Sequence, residues 1–283
     1  MKYILLLTLF LTYDAFSADL EEIKLKELAE GGVAQAEYNL ALYYELKAAD
    51  QCYIKGQYNS DNMYADCEGA QETEAVKRFR FETDTKAVKW YRKAADQGHV
   101  VAQTSLGIMY DFGKGVLEND AEAVKWFLKA AQQGEALAQH NLALMYEEGT
   151  GVPQSYLKAQ DWYIKAANQD HLMSQHNLGL MYQKGTGVSQ SDTEAHRWFS
   201  KASSQGQAAS QNNLALMYVN GAGVQQSMIA AYIWWEMSSI QGEKVASDNL
   251  AILKTMMSSK AIETAKSAAA KCYEANYKDC EVK

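Results

Sequence analysis

The segment NLALMYEEGTGVPQ at residues 141–154 returns as NLGLMYQKGTGVSQ from residue 177 and as NLALMYVNGAGVQQ from residue 213, a period of 36 residues. The same period separates Trp90, Trp126, Trp162, Trp198 and Trp234, and again Leu106, Leu142, Leu178, Leu214 and Leu250. A fixed period in this range marks stacked units. One helix pair cannot bury its own apolar face, whereas a stack of pairs makes a continuous core, so the sequence repeats in order to fold.

Within a unit, Ala138, Leu142, Met145 and Tyr146 fall at helical spacing and predict a first helix. Gly149 and Gly151 follow it, supplying the left-handed backbone that ends a helix. Asn119, Ser155, Ser191 and Ser227 share one position ahead of the next helical stretch, where a short polar side chain caps exposed amides. Glu122 and Glu194 stand three residues later, as in a capping box. The second helix carries Trp162, Ala166 and Ala167, and Gly98, Gly134, Gly206 and Gly242 end it, with Asp170 the exception.

The pattern A-x-x-NLALMY-x-x-G-x-GV, a short spacer, then KAxxWYxKAA-x-x-G resembles the Sel-1-like repeat, a relative of the tetratricopeptide repeat, over roughly residues 31–250. The resemblance implies an all-α fold, a right-handed α/α solenoid of 36-residue helix-pair repeats. Repeats are expected at 31–98, with an insertion near 49–78, then 99–134, 135–170, 171–206 and 207–242. Residues 18–30 read as an N-terminal capping helix. Residues 243–283 read as a degenerate C-terminal capping repeat that keeps Asn249 and Leu250 without the glycine loop or the tryptophan.

The chain opens with Lys2, an apolar run from Tyr3 to Leu11 and small residues at Ala15, Ser17 and Ala18, the layout of a cleaved signal peptide over residues 1–17. The run is too short to span a bilayer, which takes about 20 residues, so the expectation is a periplasmic or secreted protein that does not span a membrane. Export makes the four cysteines candidates for disulfides. Proximity favours Cys52 with Cys67, inside the insertion, and Cys272 with Cys280. The latter spacing also resembles the bridge of cysteine-rich secreted family members.

A net charge of −8 argues against a nucleic-acid partner. Those cysteine-rich relatives have been described as penicillin-binding proteins or β-lactamases, so serine-hydrolase motifs matter. Ser155 with Lys158 matches Ser-x-x-Lys and Ser247-Asp248-Asn249 matches Ser-Asp-Asn, but no Lys-Thr-Gly occurs, and the cap and the repeat already explain both matches. His140 and His176 hold equivalent positions, yet zinc takes three or four ligands. No enzyme activity, metal or cofactor is expected.

What remains is binding. Leu144, Leu180 and Leu216 recur on the first-helix arc that lines the concave surface in tetratricopeptide relatives, with His140 and His176 on the same arc. These leucines either meet a partner or pack between units. Asn39, Asn141, Asn177, Asn213 and Asn249 precede the repeated leucine, although asparagine is a mediocre helix residue. Their amides either hold an extended polypeptide or bond between repeats. The insertion is either a binding loop or a solvated decoration with a helix extension. The expectation is a monomeric scaffold for a protein or peptide partner; an immunity or regulatory role would use the same surface.

Overall fold

The computed structural model describes residues 15–53, 74–278 and 280. Among these there are thirteen helices and no strand: α1 (Ala15–Glu30), α2 (Ala34–Tyr53), α3 (Glu74–Asp96), α4 (Val100–Asp111), α5 (Asp120–Gln132), α6 (Ala136–Glu148), α7 (Tyr156–Ala167), α8 (Leu172–Lys184), α9 (Asp192–Ser203), α10 (Ala208–Asn220), α11 (Met228–Ile240), α12 (Lys244–Met256) and α13 (Ser259–Glu274). The chain divides into two compact units, residues 1–133 and 134–283.

In the first unit α2 pairs with α3 and α4 with α5, while α1 packs on α2 and α3 on α4. In the second, α6 pairs with α7, α8 with α9 and α10 with α11, and each second helix also packs on the next first helix, α7 on α8, α9 on α10 and α11 on α12. This alternation is the α/α solenoid class. The repeated leucines are its centre: Leu40, Leu106, Leu142 and Leu178 are fully buried.

Local chemistry sets the ends. The side chains of Asn119, Ser155, Ser191 and Ser227 each accept from the backbone amide three residues on, satisfying a donor that the helix leaves orphaned. After the first helix the chain turns on Gly149, Gly185 and Gly221, all left-handed. The second loop glycine is needed for close approach: a β-carbon on Gly223 would stand 2.3 Å from the carbonyl carbon of Asp192, at the start of the preceding repeat's second helix. The turn after the second helix is left-handed too, and Asp170 adopts it at φ 62 where other repeats place glycine.

The second helices each bury one aromatic ring at the same position of the repeat, Tyr91 and Phe127 in the first unit and Tyr163 and Phe199 in the second, with no exposure. The tryptophans lie beside it under lysine ammonium groups one turn later, Lys129 at 3.7 Å from the Trp126 ring centre and Lys165 at 3.7 Å from that of Trp162.

A polar chain unanticipated from the sequence joins the repeats. Gln103, Gln175 and Gln211 are buried on the first helices, and each donates 3.1 Å to a carbonyl near the end of the preceding second helix, at Ala95, Ala167 and Ser203. Each then accepts from the glutamine that ends its own repeat: Gln133 to Gln103 at 2.7 Å, Gln205 to Gln175 at 3.0 Å and Gln241 to Gln211 at 2.8 Å. Gln169 donates to Gln139 in the same way, and Gln97 donates to the buried carboxylate of Glu37. Buried carbonyls and amides thereby pair where repeat meets repeat.

The first pair departs from the others because its helices are longer, 20 residues in α2 and 23 in α3 against 12 and 13 in α4 and α5. Thr83 occupies the capping position of its repeat, but α3 runs through it and its hydroxyl donates to the Phe79 carbonyl instead. Residues 54–73 and residues 1–14 lie outside the described residues, and with them Cys67, its expected bridge to Cys52, and most of the expected signal peptide. At the other end α13 packs along α11, and the Cys272–Cys280 disulfide joins its last turn to the following segment. The Tyr277 ring reaches Gly206, where a β-carbon would stand 3.0 Å from it.

Candidate protein-binding face

The first-helix arc was the candidate surface, and its predicted residues divide into those turned inward and those open to solvent. His140 is buried, 7% exposed, because Nδ1 shares a hydrogen bond with Ser174 Oγ at 2.9 Å on the next first helix. His176, half-buried, repeats the contact with Ser210 at 2.8 Å. These imidazoles tie α6 to α8 and α8 to α10. His171 adds its Nδ1 to Ser174 at 3.0 Å, with its ring 4.6 Å from that of His140. Burial, then the neighbouring His171, pulls the His140 pKa down to about 3; burial, then Lys184, pulls His176 down to about 4. Both are neutral at neutral pH.

A serine between two histidines invites a hydrolase reading. Ser174 is completely buried, so substrate has no access to its hydroxyl. Ser155 is spent as the α7 cap, and Ser247 lies on α12, bonded to Ser239 at 2.8 Å. Among the described residues no group of three His, Cys, Asp or Glu could hold a metal.

Leu144, Leu180 and Leu216 are half-buried and pack against the core clusters of the second unit. The apolar groups that reach solvent are Met173 on α8, 47% exposed, and on α12 Val245 at 52% and Ile252 at 61%, the last at the leucines' own position of the repeat, with Val101 at 45% in the first unit. Val101, Met173 and Val245 share one position of the repeat. The signal was therefore present in the 36-residue period, but two turns before the leucines.

The asparagines differ among themselves. Asn39 is exposed and accepts from Gln35 at 2.9 Å. Asn177 is half-buried and donates 2.9 Å to the Tyr163 hydroxyl, which donates 2.6 Å to Glu147. Asn141, Asn213 and Asn249 are half-buried, with no side-chain hydrogen bond among the described residues. The first unit holds the related pair Tyr91 and Glu45 at 2.5 Å, with Asp84 close by; burial, then Glu45, raises the Asp84 pKa to about 6.

The described helices include none long and apolar enough to cross a membrane. The family model of the Sel1 repeat matches residues 30–51, 84–99, 100–135, 136–171, 172–207 and 208–243. A Sel1 repeat protein from Oxalobacter formigenes is similar at 29% identity and TM-score 0.59, over 69% of this chain and 80% of that one. A protective antigen present in uropathogenic Escherichia coli strains, displaying an SLR fold, is similar at 31% identity and TM-score 0.62. That match covers 88% of this chain, which spans 57% of the antigen. No curated protein matches the chain.

Proposed function

The chain belongs to the Sel1 repeat family, whose scaffolds are generally non-catalytic and typical of protein–protein interaction, and on that basis we propose that it is an exported binding scaffold whose first helices form a groove for an extended segment of another envelope or secreted protein. The observation that carries this reading is the row on the second unit's first helices. There the exposed Met173 lies on α8 and the exposed Val245 and Ile252 on α12, while Asn141 on α6, Asn213 on α10 and Asn249 on α12 carry amides with no side-chain hydrogen bond among the described residues. Apolar groups flanked by primary amides suit an extended peptide: the amide donates to and accepts from a backbone while the apolar groups take side chains. The amino-terminal apolar run supports export.

The test is affinity capture from envelope extract with the chain and with a Met173→Glu, Val245→Glu variant, both exposed positions. A polypeptide retained by the first and lost from the second supports the groove; identical eluates refute it. A nitrocefin assay on the same material addresses the β-lactamase alternative, and hydrolysis above the level of a Ser155→Ala control would establish a function of that other class.

A further inference from the structure

The repeats provide an internal control for what an unpaired helix looks like. On the first helices one position faces the partner helix of the same repeat: Ala41, Gly107, Ala143, Gly179 and Ala215 are buried there. On α12 the same position holds Ala251, which is exposed, as are Lys244, Asp248 and Thr255 along the same face. The cause is that α13 packs along α11 and leaves that side of α12 uncovered.

On the second helices the corresponding position, four residues before the closing turn, holds Ala94, Ala130, Ala166, Ala202 and Ser238, all without exposure. In α1, counted from the left-handed turn at Gly32, it holds Leu28, which is 62% exposed. The next residue, Ala29, is fully buried in the core that α1 shares with α2, as Ala95 is in the core of α3 and α4. Helix α1 therefore has the packing of a second helix toward the repeat that follows it, and an open face where a first helix would lie.

We propose that copies of this chain associate head to tail, α1 of one copy packing on α12 of another as the second helix that α12 lacks. The contact continues the interface that every complete repeat already makes. Leu25, seven residues before its turn as Phe199 is before Gly206, takes the place of the missing ring over Ala251, and Leu28 lies beside it at the position the complete repeats give to alanine or serine. Antiparallel pairing brings the start of α12 to the end of α1, so exposed Lys244 meets exposed Glu30; one helix pair with polar flanks makes a small interface, and association appears at high protein concentration. The contact joins two different surfaces, so it is heterologous and each copy keeps one open end.

Sedimentation equilibrium of the purified chain, with and without residues 1–17, tests this. The weight-average mass should rise with concentration in both forms. Leu28→Asp and Ala251→Glu, each at an exposed position and each checked for an unchanged melting temperature, should hold the protein at one chain. An equimolar mixture of the two variants should regain a dimer and stop there, because one copy keeps its α12 face and the other its α1 face. A mass fixed at one chain up to the solubility limit, association lost on removing residues 1–17, wild-type association by Leu28→Asp, or a monomeric mixture would each overturn the proposal.

Discussion

The ring of Phe199 lies against the backbone of Gly179, where a β-carbon would stand 2.5 Å from Cε1. Phe127 and Gly107 repeat the relationship at 2.6 Å, whereas Tyr163 is matched with Ala143 and Tyr91 with Ala41. Ring and seat therefore change together. Gly179→Ala improves helix propensity by about 1 kcal/mol, but the added methyl overlaps a fully buried ring and overpacking costs about 1–3 kcal/mol. The expected net result in urea unfolding is destabilisation, and an unchanged or raised midpoint would refute the fit.

The glutamine chain makes a second prediction. Gln175→Leu removes the donor to the Ala167 carbonyl and the acceptor for Gln205, leaving buried polar groups unpaired at about 1–3 kcal/mol. Gln205→Leu removes only the outer partner and should cost less. Equal losses in chemical denaturation would show that the chain is not organised from Gln175 outward.

The repeat, its caps and its turns were legible because each rests on residues within a few positions of one another: Ser191 needs only Glu194, and Gly185 only its own backbone. The glutamines were not, although Gln103, Gln139, Gln175 and Gln211 follow the same period. A polar residue reads as solvent-facing until the carbonyl that buries it is known, and that carbonyl belongs to the preceding repeat. His140 escaped for the same reason, since Ser174 lies 34 residues away. The path of α13 along α11 depends on tertiary packing that no local pattern encodes.

Acid should weaken the second unit. His140 and His176 are neutral in the fold, with pKa values of about 3 and about 4 against 6.5 for the free group. Depressed folded values mean that the unfolded chain binds more protons below pH 6.5. Their contribution is thus complete above that pH and is lost as pH falls toward the folded values, about 1–2 kcal/mol each by pH 5. Asp84 in the first unit acts oppositely: raised to about 6 from 3.8, it favours folding as pH falls across that window. Hydrogen exchange resolved by segment at pH 7 and pH 5 should show α6 and α8 loosening. His140→Gln should flatten that dependence, and an identical slope would disprove the imidazole origin.

Asp170 holds a left-handed backbone at φ 62, which costs a non-glycine residue about 1 kcal/mol. Its carboxylate recovers part of this by accepting from Gln175 at 3.4 Å. Asp170→Gly should raise the melting temperature slightly, and a fall would mean that the long Gln175 contact outweighs the backbone cost.

The asparagines separate architecture from binding within one set of variants. Asn177 donates to the buried Tyr163 hydroxyl, so Asn177→Ala removes that donor, leaves the hydroxyl bonded to Glu147 alone, and should cost about 1 kcal/mol of stability. Asn141 and Asn213 have no such partner among the described residues, and alanine is the better helix former by several tenths of a kcal/mol per site. Asn141→Ala, Asn213→Ala should therefore melt at or above the parent temperature while losing affinity for the captured polypeptide, each backbone hydrogen bond being worth roughly 0.5–1.5 kcal/mol. If the double variant binds as the parent does, the amides are not the contact, and the groove reading must rest on Met173, Val245 and Ile252.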